Sequence, residues 1–342
     1  MQGASSCIAQ LTDKLPMRDL PGPLYIVIYE RVLWRSSKQV VIERLRNKTM
    51  ALSIGVEYNF ENWRTCLMEH GRTLELRSFL DSESAFGYLQ YICALYPEPT
   101  ITLSVGYDLP LTRLNQLTEQ QRQAMDHLPQ RNEIQEILLA INSLSLDSYC
   151  LPAIRYLSSV PIYRKLKYEN TGTTDGLCII ATLLYRMRER EMSWSEMEFF
   201  YVELDQRGNR IVVVENGRIV NSLSNAESAS KCHTEQRDAA GLFRDELEAK
   251  QAFEQAFWEE LTQELAGLMA IHHLEDVIIR GQHQDRFAEH FGDTYQVYIF
   301  PQDEPDTEEY EGAIGAAIIA EGLRYAGIAA EVVEQLQICL AV

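Results

Sequence analysis

Val56 to Arg72 reads VEYNFENWRTCLMEHGR, and Val202 to Arg218 reads VELDQRGNRIVVVENGR. Aligned without a gap at an offset of 146 residues, the two stretches share Val56/Val202, Glu57/Glu203, Arg64/Arg210, Glu69/Glu215, Gly71/Gly217 and Arg72/Arg218. Each reads as strand, four-residue turn, strand, two-residue turn ending in Gly, and strand. His70-Gly71 closes the first copy and Asn216-Gly217 the second, pairs suited to hairpins because Gly accepts positive φ. Two β-meanders of one design imply duplication, although Asn-Gly hairpins and charged strand faces also arise singly.

The segments after the meanders run in parallel. After the first, the apolar pattern predicts a helix over 82–95, a buried strand over 101–105, and helical stretches around 119–125 and 133–141. After the second it predicts a long helix over 246–271, a strand over 277–279, a short helix over 284–290, a strand over 295–300 and a helix over 313–325. Between the halves, 172–190 reads as a helix opened by capping residues, and 224–240 as a loop. Hairpins leading into strand and helix alternation make α/β domains with mixed sheets and helices on their faces.

A chain of 342 residues has room for two domains. With 46% hydrophobic and 24% charged residues it is neither disordered nor fibrous. A formal charge of -19 repels phosphate backbones, which argues against nucleic acid as a partner. The charge is uneven: residues 1–49 hold eight basic and four acidic residues. They read as an extension outside the core, with Met50 opening the first meander. No stretch reaches the roughly 20 apolar residues of a membrane helix, and Leu24 to Tyr29 is too short for a signal core. Seven scattered cysteines without a CxxC pair fit a reducing cytoplasm. His272, His273, His283 and His290 lack a metal-ligand spacing and read as surface or packing residues.

Five segments carry a resemblance: SVGYDLPLTRLNQLTEQQ (Ser104 to Gln121), VPIYRKLKYENTGTTDGLC (Val160 to Cys178), VENGRIVNSL (Val214 to Leu223), DVIIRGQHQDRF (Asp276 to Phe287) and EGAIGAAIIAEGL (Glu311 to Leu323). They are similar to the acetate and sugar kinase, heat-shock chaperone and actin superfamily. Within it the chain looks like the archaeal-type family of unknown function called predicted butyrate kinases. The resemblance implies an α/β fold of two duplicated ribonuclease-H-like (actin-like ATPase) domains with an interdomain cleft. The expected domains are 50–165 and 166–342, with the C-terminal helix near the domain interface and the second meander. It implies ATP and magnesium as cofactors, and phosphoryl transfer to a small carboxylate as the reaction. A homodimer is left open.

The same resemblance assigns roles. Glu57 and Asp205 are the candidate metal residues, and Asp175 and Arg64 the catalytic ones, with Arg164 an alternative source of positive charge. Asn59, Asn62, Asn170, Thr171, Gly172, Thr173 and Gly208 are the phosphate candidates; Arg280, Gly281, Gln282 and Gly312 would meet adenosine, and Ser104, Gly106 and Tyr107 the substrate. Three departures stand out. The superfamily's first phosphate loop resembles Asp-x-Gly-Thr, whereas this chain has Glu57-Tyr58-Asn59-Phe60. The second is rich in Gly and Ser, whereas Asp205-Gln206-Arg207-Gly208 stands here. Where the family resembles Asp-x-Gly-Thr-Ala-Asp-Lys, this chain reads Asn170-Thr171-Gly172-Thr173-Thr174-Asp175-Gly176. A backbone cradle needs Gly for close approach to phosphate. The departures therefore point to degenerate loops, and beside the kinase stands the alternative of a non-catalytic nucleotide-binding or scaffold protein.

Overall fold

The computed structural model describes residues 52–59, 61–96, 98–105, 109–123, 131–166, 173–205, 208–224, 246–281, 283–301 and 309–338. The chain divides between Met50 and Ala51, and every described residue lies on the C-terminal side of that division. A chain beginning at Met50 is expected to melt as cooperatively as the full chain, and at nearly the same temperature by circular dichroism. A large drop would show that the basic segment supports the core.

The first meander comprises β1 (Leu52–Tyr58), β2 (Trp63–Glu69) and β3 (Arg72–Phe79), and the second comprises β7 (Phe199–Asp205), β8 (Gly208–Glu215) and β9 (Arg218–Ser224). The repeat holds residue by residue. Glu57 pairs with Arg64 as Glu203 pairs with Arg210, and Glu69 pairs with Arg72 as Glu215 pairs with Arg218. A register shift falls between Leu67 and Met68 in one copy and between Val213 and Val214 in the other. His70 (φ 49) and Gly71 (φ 74) match Asn216 (φ 51) and Gly217 (φ 70). Positive φ at both central residues is the two-residue turn whose twist suits a hairpin, so these dipeptides set the register of both meanders.

β4 (Thr100–Ser104) and β6 (Ser148–Cys150) extend the first sheet in parallel from β1, with β5 (Thr112–Arg113) antiparallel at the edge. Its order is β3-β2-β1-β4-β6-β5. β10 (Asp276–Gly281) and β11 (Gln296–Ile299) do the same for the second, whose order is β11-β10-β7-β8-β9. An antiparallel meander continued by parallel strands beyond its first strand is the ribonuclease-H-like arrangement, present here twice. The described helices of useful length are α1 (Ser82–Leu95), α2 (Arg131–Ser143), α3 (Thr174–Glu189), α4 (Glu246–His272), α5 (Gln284–Phe291), α6 (Glu311–Arg324) and α7 (Ile328–Gln335).

Alternation along β7 and β8 divides the second core. Phe199, Tyr201, Val212 and Val214 join the cluster around α3 and α6, whereas Phe200, Val202, Ile211 and Val213 pack with Trp258, Leu261 and Leu265 of α4 and Phe287 of α5. The helix α6 packs on β1, β2 and β4 of the first sheet and along α3. The shorter α7 reaches the second meander, where the Gln335 amide donates to the Asn216 carbonyl over 2.5 Å. Small residues cause this placement. A Cβ on Gly55 would lie 2.0 Å from the Ala313 carbonyl oxygen, and one on Gly315 would lie 1.8 Å from that of Cys178. Thr102 donates its hydroxyl to the Ala316 carbonyl at 2.6 Å. Gly315→Val is expected to cost roughly 2–3 kcal/mol by overpacking rigid backbone, read as a fall in denaturant midpoint. No single helix among the described residues is long and apolar enough to cross a membrane.

Candidate functional site

The repeat places two equivalent glutamates at the ends of β1 and β7. Glu57 lies opposite Arg64 on β2 and Ser104 on β4, and Glu203 lies opposite Arg210 on β8 and Arg280 on β10. The third-strand position therefore differs between copies, a serine in one and an arginine in the other. Asp175 stands in the first turn of α3, and Glu311 opens α6.

Asp175, Arg210, Glu203, Arg280 and Glu311 form one chain of ion pairs. Arg210 donates from Nη1 to Glu203 Oε2 at 2.7 Å and from Nη2 to Asp175 Oδ2 at 2.8 Å. Arg280 donates to the other oxygen of Glu203 and, from Nη2, to Glu311 Oε2 at 2.8 Å. Because α6 lies on the first sheet and Arg280 stands in the second, this last bond ties the two sheets together. Arg64 turns to Glu309, two residues before α6, donating to its Oε2 at 2.7 Å and to its carbonyl. The Tyr310 ring lies 5.9 Å from its guanidinium carbon. Burial raises the Asp175 carboxyl, but Arg210, together with hydrogen bonds from Thr173 and the backbone, outweighs it and holds the group below its usual range.

Glu57 is the exception. It is 6% exposed, and its Oε2 has no hydrogen-bond partner. A Cβ on Gly312 would lie 2.0 Å from its Oε1, so the carboxyl rests on the first turn of α6. Burial pushes the group up to about 7, against the attraction of Arg64. A half-neutral carboxyl is a weak ligand for a hard divalent cation. Among the described residues no three His, Cys, Asp or Glu side chains gather so as to hold a metal ion.

The turn between β1 and β2 explains what replaces the expected phosphate cradle. Asn59 Oδ1 accepts from the backbone N–H groups of Glu61 (3.2 Å) and Asn62 (2.8 Å), so the donors a phosphate would need are already bound. Gly281, at φ 95, ends β10, and a Cβ there would lie 2.1 Å from the Leu204 carbonyl. Its freedom thus serves the parallel pairing with β7. Ser104 is buried at the end of β4, Thr173 is the N-cap of α3 without a side-chain capping bond, and Gly208 pairs with Asp205 where β8 begins. Arg164 lies outside the cluster, bonded to the Val220 carbonyl at 2.8 Å. Asn170, Thr171, Gly172, Gly106, Tyr107, Gln282 and the side chain of Asp205 lie outside the described residues. Among the described residues Arg210 and Arg280 are paired with carboxylates, the Glu61 and Asn62 N–H groups are taken by Asn59, and Glu57 is half-neutral, so what they offer a magnesium-triphosphate group is weak.

Glu203, Arg210, Glu309 and Glu311 were not among the sequence candidates. The identities Glu57/Glu203 and Arg64/Arg210 carried the signal for the first two. Nothing local marks Glu309 or Glu311, which stand in an acidic run that reads as a solvated loop.

Two ribonuclease-H-like halves joined by this buried cluster define a protein of the actin-like ATPase fold. The family model described as a protein of unknown function, DUF1464, matches residues 82–233, from the start of α1 to beyond β9. No curated protein gives a significant match. Among solved structures the chain is similar to acetate kinase from Entamoeba histolytica, at 8% identity over 77% of this chain and 98% of that one, with a TM-score of 0.48. It is similar to the ROK hexokinase from Thermus thermophilus at 11% identity over 78% and 98%, with a TM-score of 0.45. It is also similar to a Bacteroides thetaiotaomicron protein with actin-like ATPase fold and unknown function, at 9% identity over 78% and 96%, with a TM-score of 0.36.

Proposed function

We infer that the chain is a degenerate relative of the carboxylate kinases, of the predicted butyrate kinase type it resembles in sequence. It keeps the fold, takes ATP weakly and only with magnesium, and transfers phosphoryl groups to small carboxylates slowly or not at all. One observation carries this reading: Arg210 and Arg280 are spent on Asp175, Glu203 and Glu311 in the cluster that joins the two sheets. Phosphoryl transfer is driven by positioning and by charge neutralisation, and cations already paired with buried carboxylates supply neither. An incoming triphosphate would have to displace these pairs and then face Glu57, Asp175, Glu203 and Glu311 together.

A working kinase is the second reading, favoured by the position of Asp175. It stands at the start of α3, within the cluster, where the family motif would place it. Calorimetric titration with ATP, with and without magnesium, separates the two when followed by a hydroxamate assay across short carboxylic acids. The expected result is a dissociation constant near or above about 1 mM and no acyl phosphate above background. Robust acyl-phosphate formation, abolished by Asp175→Asn in a variant that still melts like the parent, would overturn the inference and establish the kinase.

A further inference from the structure

A groove of about 460 Å³ lies away from the ion-pair cluster and shares no lining residue with it. Its walls come from the short helix Ile162–Lys165, the edge strand β9 and the C-terminal half of α4. Such a volume suits one small organic molecule. The floor is apolar, built by Leu223, Leu268 and Ile271. On α4 the groove is open because Gly267 stands there, and a Cβ at that residue would meet nothing within 4 Å.

One cation faces this apolar floor. Arg164 is held by the Val220 carbonyl of β9, at 2.8 Å from Nη1, and by the ring of Tyr163, 5.6 Å from its guanidinium carbon. Those contacts use one of its five N–H donors, so the group is fixed in place with donors to spare. Beside it Asn221, 5% exposed, is oriented by the Ser222 N–H and by His272 Nε2 at 3.3 Å. A second hydrogen remains on the same amide nitrogen. The acidic side chain in the lining, Glu264, is turned to Asn209 Nδ2 at 2.9 Å. Ser224 and Gln263 complete the lining. On a surface of strong net negative charge, a pre-set arginine beside a bare apolar trough marks a site for a particular kind of molecule.

We propose that the groove between the 162–165 helix, β9 and α4 binds a small organic anion with an apolar body, its acidic group on Arg164 and Asn221 and its body on Leu223, Leu268 and Ile271. The claim is independent of the fate of the central cluster, because the two share no residue. It predicts that charge and apolar body are both required.

Fluorescence titration with 8-anilinonaphthalene-1-sulfonate, an apolar anion, tests this on the full chain. One probe should bind per chain, be displaced by octanoate, and resist octanol and inorganic phosphate by at least about tenfold. Gly267→Phe should fill the trough and abolish binding, and Arg164→Met should weaken it at least about tenfold, both without lowering the melting temperature. If Gly267→Phe melts early, Ile271→Glu, at a side chain 57% exposed, provides the same reading. Unchanged probe binding in these variants, displacement by octanol as good as by octanoate, or displacement by phosphate alone would each overturn the proposal.

Discussion

Arg210→Met is expected to destabilise the protein by about 3–5 kcal/mol, among the largest effects of any single substitution in the charged cluster. Arg210 bonds both Asp175 and Glu203, and its side chain is 14% exposed. Removing it leaves two carboxylates facing each other in poor solvation, with Arg280 still holding Glu203 and Asp175 left to its own turn of α3. The cost comes from uncompensated buried charge, not from the worth of the pairs, since a buried ion pair barely offsets its own desolvation. The triple variant Arg210→Met, Asp175→Asn, Glu203→Gln should therefore recover part of the loss. Denaturant midpoints of the two variants check this. A single variant within about 1 kcal/mol of the parent would mean that the cluster is hydrated in solution and that the cleft is open.

That outcome bears on the proposed function, because the cluster holds the two sheets together. Arg280 stands in β10 of the second sheet and grips Glu311 at the head of α6, which lies on the first.

The duplicated meanders were legible because register is set by short-range chemistry. The dipeptides His70-Gly71 and Asn216-Gly217 fix the hairpins, and a fixed hairpin places Glu57 against Arg64 and Glu203 against Arg210. The long helices were legible from apolar period, the predicted 246–271 being observed at Glu246–His272. β6 was not, because Ser148–Cys150 is too short to show alternation and is held by pairing with β4. The meaning of the cluster was not legible either. That Arg280 meets Glu203 follows from a parallel pairing of strands more than seventy residues apart, and that Glu311 joins them follows from glycines that seat α6 on another sheet. Sequence showed which loops had lost glycine; it could not show what stood in the place of the missing donors. In the first loop that is the Asn59 side chain, bonded to its own turn.

Glu57→Gln is expected to stabilise the protein at pH 8 by about 3 kcal/mol while changing it by less than about 1 kcal/mol at pH 5. The carboxyl rises from an ordinary 4.5 to about 7 on folding, because burial outweighs the attraction of Arg64. The folded state then holds the proton more tightly than the unfolded chain, so stability falls as pH rises from the unfolded value through about 7 and is flat above it. Gln presents a similar shape without a charge to desolvate, and it removes that loss. Asp175, held low by Arg210, acts in the opposite sense, losing its contribution as pH falls through its folded value. Only the difference between parent and variant, taken at each pH, therefore isolates Glu57. Thermal melts should show a gain on the order of 5 °C at pH 8 that fades toward pH 5. A Glu57→Gln chain that melts with the parent at pH 8 would show that the carboxyl is solvated or neutralised by a cation, and an added divalent ion that selectively raises the parent's melting temperature would identify that cation and restore Glu57 as a metal residue.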